Sequence, residues 1–209
     1  MIKAEGITKV IRKKTLVKDA TFSVEDGSIA GIVGRNGSGK TVLLKIICGF
    51  MLPTEGAVEV NGERVGKDVD FPSSLGAIIE TPGFLPWQTA EQCLMDFAKL
   101  GRKAGRTEVL RALELVGLEP GSKKHVGNYS LGMRQRLAIA QAVMEDPDVL
   151  VLDEPMNGLD IQGVEDVRKI LLQMKQAGKT ILITSHNRED IAVLCDQVYE
   201  MDAGSFLQN

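Results

Sequence analysis

The sequence has no apolar run that approaches the roughly 18 residues needed to cross a bilayer. Its first residues also lack the pattern of a secretory signal. Cysteine is scarce: Cys48, Cys93 and Cys195 are the three in the chain, and they lie far apart. This spacing predicts reduced thiols of a cytosolic protein, with no disulfide framework. We therefore expect that the chain itself is neither a channel nor a permease.

The chain also lacks an excess of positive charge. Its 25 basic and 28 acidic residues give a net charge of −3, with no basic block. Nucleic-acid partners are recognised through concentrated positive charge. Bulk charge therefore predicts no nucleic-acid partner, although a local patch stays open. A length of 209 residues suits one domain or two small lobes.

The segment Gly34–Thr41 reads GRNGSGKT, which matches the P-loop pattern for binding nucleoside triphosphates. An apolar run at Ile29–Val33 predicts a buried strand before it, and Thr41–Cys48 predicts a helix after it. Glycines let backbone amides converge on phosphates at the helix N-terminus. The pattern predicts that Lys40 bridges the β- and γ-phosphates and that Thr41 ligates Mg²⁺. The predicted phosphate-binding residues are Gly34, Arg35, Asn36, Gly37, Ser38, Gly39, Lys40 and Thr41.

Strand and helix patterns alternate around this motif. Strands are expected at Ile2–Ile7, Leu16–Val24, Ala57–Val60, Leu75–Ile79, Val149–Leu152, Thr180–Thr184 and Gln197–Met201, with a hairpin turn at Asn61-Gly62. Helices are expected from the capping box at Thr89 and Gln92 to about Leu100, and at Glu108–Val116, Met133–Met144, Ile161–Gln176 and Asn187–Cys195. Such alternation indicates a parallel sheet with crossover helices.

Two stretches of strand–helix alternation are separated by a segment whose sequence pattern is helical only. Thr81-Pro82-Gly83 and Pro86 interrupt the strand–helix alternation, because glycine and proline break regular structure. We predict a nucleotide-binding core made of residues 1–83 and 145–209, with residues 84–144 forming a helical subdomain.

An acidic pair, Asp153-Glu154, follows the apolar run Val149–Leu152. Carboxylates at the tip of a buried parallel strand lie at the ligand edge of the sheet, beside the P-loop. Asp153 is predicted to hold Mg²⁺, directly or through water. Glu154 is predicted to polarise the attacking water as general base.

With these motifs in order, the chain resembles the ATP-binding subunit of an ABC transporter over nearly its whole length. The further motifs are the signature peptide Tyr129–Met133, the loop Asn157–Asp160, and His186 after Thr184-Ser185. The resemblance implies an α/β, P-loop NTPase (RecA-like) core with a mostly parallel sheet, an N-terminal antiparallel β part and an inserted α-helical subdomain.

The resemblance also implies how these residues work. Two copies of the chain would sandwich two ATP molecules, with Ser130 and Gly132 of one copy contacting the ATP held by the other. Asp160 would lie in the loop joining the two sites, and His186 would contact the γ-phosphate and orient the water against Glu154. An integral membrane permease would bind the pair, which would sit in the cytoplasm on the inner face of the cell membrane.

The sequence departs from the family pattern in three places. The signature reads Tyr-Ser-Leu-Gly-Met instead of the usual Leu-Ser-Gly-Gly-Gln, but Ser130 and Gly132 are kept. Glu80 stands where the family has a glutamine that ligates Mg²⁺, and a carboxylate still suits that ion; a solvated strand end is the alternative. Ile11 stands where an aromatic side chain stacks on adenine. This change predicts a weaker preference for adenine or a platform supplied by another residue.

The signature variant, Glu80 and the segment Pro82–Pro86 resemble one subgroup, the ATPase subunits of small exporters linked to bacitracin resistance, lantibiotic immunity and efflux of peptides or drugs. Trp87, Phe84 and Leu85 are candidates for contact with the permease, with packing inside the helical lobe as the alternative. Two other functions stay open: a soluble ABC-type ATPase outside transport, and a nucleotide-gated interaction module without turnover. The presence of Glu154 and His186 argues against the second.

Overall fold

The computed structural model describes residues 1–80, 83–101 and 103–207. Its strands are β1 (Ile2–Ile11), β2 (Lys14–Val24), β3 (Ile29–Val33), β4 (Glu55–Val60), β5 (Glu63–Arg64), β6 (Leu75–Ile78), β7 (Val149–Leu152), β8 (Thr180–Ser185), β9 (Gln197–Asp202) and β10 (Ser205–Phe206). Its helices are α1 (Lys40–Ile47), α2 (Ala90–Gly101), α3 (Arg106–Leu115), α4 (Leu131–Val143), α5 (Ile161–Gln176) and α6 (Arg188–Leu194), with a 3₁₀ turn at Val126–Asn128.

A six-stranded sheet in the order β10-β9-β3-β8-β7-β6 forms the centre of the molecule. Strands β9 to β6 are parallel, and β10 alone pairs antiparallel to its neighbour. Every residue of β3, β7 and β8 is buried, as expected for parallel strands covered on both faces. The parallel arrangement confirms the predicted fold class. It also brings the loops after β3, β7 and β8 to one edge.

A second sheet has four antiparallel strands in the order β2-β1-β4-β5. Its β4–β5 hairpin closes through Asn61 and Gly62, whose φ angles are 51° and 82°. Positive φ at both central residues matches the twist of a two-residue hairpin, and the predicted turn is confirmed. Helix α1 packs against this layer through its apolar residues, including Leu43, Leu44 and Ile46.

Helices α2, α3 and α4 form a helical lobe at the β6 edge of the large sheet. The capping box at the start of α2 is confirmed: the Thr89 amide donates to Gln92 Oε1 at 2.9 Å, and the Gln92 amide donates to Thr89 Oγ1 at 3.3 Å. One apolar cluster continues from Leu94 and Leu113 in the lobe to Leu150 in the sheet. The segments on the two sides of the predicted boundaries at residues 83 and 144 therefore share one apolar core. The predicted break at Thr81 and Pro82 lies outside the described residues.

The first hairpin is longer than its sequence pattern predicts. Strand β1 continues to Ile11 instead of ending at Ile7, and β2 begins at Lys14. The turn between them places Arg12 and Lys13 at φ 48° and 66°, a conformation that these residue types do not signal. The short strands β5 and β10 were not predicted at all. In the three described ranges, no helix combines the length and the apolar character that crossing a membrane requires.

Candidate active site

The loop between β3 and α1 needs its glycines for two different reasons. Gly37 and Gly39 have φ angles of 81° and 108°, which residues with a Cβ adopt only with strain. At Gly34 a Cβ would overlap the backbone oxygen of Met201. The loop therefore lies close to β9 and leads into α1. The N-terminus of α1 favours an anion at this loop.

Lys40 begins α1, and its side chain is 6% exposed. Its Nζ donates to the carbonyl oxygen of Gly34 at 2.7 Å and to that of Arg35 at 3.3 Å. The same ammonium group lies 3.5 Å from Glu154 Oε1. Lys40 thus folds back over the loop and links it to the acidic end of β7.

Asp153 follows β7 and has both carboxylate oxygens occupied by hydroxyl donors. Thr41 Oγ1 donates to Oδ2 at 2.7 Å, and Thr184 Oγ1 donates to Oδ1 at 2.6 Å. Mg²⁺ in nucleotide sites is commonly bound by one or two protein oxygens together with phosphates and waters. A carboxylate and a hydroxyl held together beside the phosphate loop fit that ion. Binding of Mg²⁺ by Thr41 and Asp153 stays a prediction.

Glu154 adopts a φ of 48°, a strained angle for a residue with a side chain, of the kind that concentrates at functional sites. Its amide donates to Thr184 Oγ1 at 2.9 Å. Its Oε1 is buried and has no hydrogen-bond partner within the described part of the chain. Thr184 therefore aligns both acidic residues. The sequence analysis missed this role, although a hydroxyl at the ligand edge of β8 was a usable signal.

His186 follows β8, and its ring Nδ1 lies 2.8 Å from Glu154 Oε2. The backbone amide of His186 donates to the same oxygen at 3.3 Å. Asn187, the next residue, caps α6 by accepting from the Glu189 amide at 2.9 Å. Because the histidine lies between a strand end and a helix cap, its backbone is fixed while its ring stays 54% exposed.

Lys40, Thr41, Asp153 and Glu154 border a cavity of about 730 Å³, whereas His186 is not part of its lining. The volume of this cavity is typical of ligand pockets. Its lining residues are Lys14, Leu16, Asn36, Gly37, Ser38, Gly39, Lys40, Thr41, Val42, Glu80, Phe84, Leu131, Arg134, Gln135, Asp153, Glu154, Asn157 and Gly158. Lys14 and Leu16 are the lining residues that belong to β2. Ile11 ends β1 with its side chain 38% exposed, and it is not part of this lining. Its predicted contact with adenine is therefore unsupported by the cavity.

Glu80 borders the cavity at φ 62° with its side chain 64% exposed. Its Oε1 accepts from Lys45 Nζ at 2.7 Å. Exposed ion pairs of this kind contribute little to stability, so the carboxylate can exchange partners at small cost. Its predicted contact with Mg²⁺ stays a prediction.

The signature residues lie at the start of α4. Ser130 is the N-cap, and its Oγ accepts from the Met133 amide at 3.2 Å. Asp160 has the same role at α5, where Oδ1 accepts from the Gly163 amide at 2.9 Å. Ser130, Gly132 and Asp160 do not belong to the cavity lining among the described residues. The structure therefore gathers Lys40, Thr41, Asp153 and Glu154 at the cavity, with His186 joined to them through its contact with Glu154. The other three residues make no such contact among the described residues.

The cysteines lie away from this chemistry and carry no disulfide. Burial raises the pKa of the Cys48 thiol to about 12. Burial, with a smaller contribution from Asp196, raises the pKa of Cys195 to about 12 as well. A thiol is reactive as its thiolate, so both side chains serve as small apolar groups in the core.

Comparisons with known proteins identify the family. Residues 17–157 match the family model described as ABC transporter. The chain is 46% identical to an uncharacterized ABC transporter ATP-binding protein, YybJ, of Bacillus subtilis (strain 168), over 98% of the chain and 94% of that protein. It is 38% identical to the bacitracin transport ATP-binding protein BcrA of Enterococcus faecalis, over 100% of the chain and 68% of that protein.

Solved structures share the fold. A dimeric bacterial ABC transporter cassette superposes with a TM-score of 0.90 at 22% identity, covering 100% of the chain and 97% of the cassette. The protein cbiO1 from Clostridium perfringens, described as part of an ABC transporter complex, gives a TM-score of 0.86 at 27% identity, covering 99% and 86%.

Proposed function

The chain belongs to the ABC transporter ATP-binding proteins, and from this premise we propose that it hydrolyses ATP to drive export through a separate membrane permease. The observation that carries the proposal is the position of Glu154. Its carboxylate lies between Lys40 and the His186 ring, with Oε1 buried and lacking a hydrogen-bond partner in the described ranges. A general base for the attacking water is expected at such a position, beside the phosphate-binding lysine.

The phosphates of ATP would lie on the loop 34–39 and the N-terminus of α1. Their arrival gives Lys40 a stronger acceptor than the carbonyl oxygens it now contacts, because charge-assisted hydrogen bonds are the stronger ones. Lys40 then leaves Glu154, which becomes free to take a proton from water, with His186 holding the carboxylate in place. Thr41 and Asp153 would hold Mg²⁺, which neutralises phosphate charge. Glu80 would join them only after leaving Lys45.

A second copy of the chain would complete each site. Ser130 and Gly132 lie at the N-terminus of α4, and a helix N-terminus binds anions. They are not among the described residues that line the cavity, although Leu131 between them is. Leu131 and Ile161 beside them are 49% and 87% exposed, which supports burial against another surface. In the pair, Asp160 would lie between the two sites while continuing to cap α5.

The cargo class is proposed from relatives. Those of known role include bacitracin transport proteins at 38% and 37% identity and a linearmycin resistance protein at 32%, so we propose export of a peptide or drug. Trp87 and Leu85 of the helical lobe are 65% and 42% exposed and are proposed to contact the permease. Phe84 instead packs edge-on against Phe97, with ring centroids 6.2 Å apart. Binding to the permease would hold the chain at the cytoplasmic face of the membrane.

The test of this function is ATP hydrolysis by the wild type with its permease present. Phosphate release that rises when the transported compound is added supports coupling to transport. An inactive wild type that still binds ATP would instead identify a nucleotide-gated interaction module.

We propose that Leu16, and not Ile11, contacts the base, since Leu16 lines the cavity. Leu16→Ala should then weaken ATP binding roughly fivefold, because it removes apolar contact worth about 1 kcal/mol. Ile11→Ala is the matched control and should leave the affinity within about twofold. Titration with a fluorescent ATP analogue measures both. A larger loss from Ile11→Ala would restore the assignment made from the sequence.

A further inference from the structure

Positive charge collects on the hairpin formed by β1 and β2. Residues 9–18, the cationic hairpin, contain five of the chain's 25 basic residues and no acidic residue. Residues 10–15 are all exposed. Within the described ranges, the ion pairs of the chain all involve other cations. The five unpaired cations are Lys9, Arg12, Lys13, Lys14 and Lys18.

The turn of the cationic hairpin is an unusual place for two large cations. Ile11 pairs with Lys14, so Arg12 and Lys13 are the central residues of a two-residue loop. Their φ angles are 48° and 66°, and asparagine and glycine are the residues that such a loop prefers. Strained backbone of this kind concentrates at functional sites. Stability of the turn therefore does not explain why it is charged.

Backbone hydrogen bonds fix the cationic hairpin to the phosphate loop 34–39. The Lys18 amide donates to the Gly204 carbonyl oxygen at 2.8 Å. The Gly204 amide in turn donates to the Ser38 carbonyl oxygen at 2.9 Å. The position of the hairpin relative to the phosphate loop is therefore set by the fold.

The charged end of the hairpin reaches the nucleotide cavity. A Cβ on Gly39 would overlap the carbonyl oxygen of Leu16, so β2 lies directly against the phosphate loop. Lys14 is two residues closer to the turn than Leu16, and both line the cavity. Side chains two residues apart on a strand share one face. Arg12 and Lys13 follow at the turn and are not among the described residues of the lining.

The catalytic part of the same cavity has the opposite charge. Glu80, Asp153 and Glu154 all belong to its lining, and the whole chain has a net charge of −3. These carboxylates repel the phosphates of an approaching nucleotide. Positive charge beside a cleft raises the local concentration of an anionic ligand and speeds its association. The cationic hairpin is placed to offset this repulsion.

We infer that the cationic hairpin attracts the triphosphate of the incoming nucleotide, so that association depends on phosphate charge more than on the base. The inference rests on the proposed function, in which the cavity holds ATP. Lys14 contacts the nucleotide as it enters, and Arg12 and Lys13 act through their field at longer range. ATP and GTP should therefore associate at similar rates.

Stopped-flow association of the full chain with a fluorescent ATP analogue tests this inference. Arg12→Asn with Lys13→Gly removes two charges and supplies the preferred residues of the turn. At low ionic strength the association rate constant should fall roughly three- to tenfold, while the dissociation rate constant stays within about twofold, because charges at a rim act mainly on association. The melting temperature should stay unchanged or rise, which separates this loss from unfolding.

Two comparisons distinguish charge from a merely structural effect. The difference between variant and wild type should disappear at roughly 0.5 M salt, where screening acts over a few ångströms. It should also become smaller from the ATP analogue to the ADP and AMP analogues, and be equal for ATP and GTP analogues.

Lys67→Gln with Lys169→Gln is the matched control. Both lysines are exposed and lie outside the cavity lining, so the control removes the same charge elsewhere. Its association rate constant should stay within about twofold of the wild type at the same ionic strength.

Three results would overturn the inference while the wild type binds ATP: unchanged association in the hairpin variant, an equal loss in the control, or a loss that persists at high salt. Sedimentation with phosphatidylserine vesicles is measured in parallel. Weaker vesicle binding by the hairpin variant, with unchanged association of ATP, would assign the hairpin to a membrane surface instead. A wild type that binds no nucleotide would reject the proposed function itself.

Discussion

Glu154→Gln is expected to lower the rate of ATP hydrolysis by about 10²–10⁴-fold, the usual contribution of a general base. The amide keeps the size of the side chain and an oxygen for the His186 backbone amide, but it cannot accept a proton from water. Removing the negative charge 3.5 Å from Lys40 leaves that ammonium free for phosphate. ATP affinity should therefore be preserved or increased. Phosphate release and ATP titration measure the two quantities on the same preparation.

Glu114→Gln is the matched control for this substitution, since Glu114 is an exposed residue of α3 outside the cavity lining. It should hydrolyse ATP at the wild-type rate. Retention of more than about a tenth of the activity by Glu154→Gln would contradict its assignment as the base, because Brønsted behaviour demands a group that can hold the proton.

Arg168→Met is expected to destabilise the fold by about 3–5 kcal/mol, the typical cost of leaving one charge of a buried pair without its partner. Arg168 of α5 donates through Nη2 to Asp190 Oδ1 of α6 at 2.5 Å, and the two residues are 9% and 4% exposed. Burial on its own would lower the pKa of the Arg168 guanidinium, but hydrogen bonds to Asp190 and Glu165 raise it above its usual range. The Arg168 guanidinium therefore stays charged at neutral pH.

Urea denaturation measures this cost, and two further variants interpret it. Arg168→Met with Asp190→Leu removes both charges and should recover most of the lost free energy of unfolding, since apolar replacements of a buried pair are often neutral. Arg188→Met breaks a surface pair with Glu200, in which the two side chains are 80% and 40% exposed, and should cost no more than about 1 kcal/mol. Equal losses of unfolding free energy for Arg168→Met and Arg188→Met would show that burial does not increase the contribution of the first pair to stability.

Local patterns were sufficient for much of this molecule. The P-loop, the buried strands on both sides of it and the acidic end of β7 are each contained in a few consecutive residues, and the structure has the predicted parallel sheet. The family resemblance is confirmed by the match over residues 17–157. Apolar runs and glycine spacing report burial and backbone geometry directly, which is why these features could be predicted.

Features that depend on distant pairs could not be predicted. The φ angles of Arg12 and Lys13 come from the pairing of β1 with β2. The sequence pattern therefore predicts both strands of this hairpin shorter than they are. Which residue contacts the base, Ile11 or Leu16, stays a prediction. The Lys45–Glu80 pair joins segments 35 residues apart in the chain. No periodicity within either segment encodes such a contact.

We propose that this chain hydrolyses ATP as a paired subunit on a membrane permease. Affinity purification of the tagged chain from solubilised membranes, followed by identification of the bound proteins and an ATPase assay, is the decisive experiment. We expect an integral membrane protein bound to two copies of the chain, with hydrolysis that Glu154→Gln abolishes. Recovery of the chain alone from the soluble fraction, with no membrane protein bound, would refute the proposal.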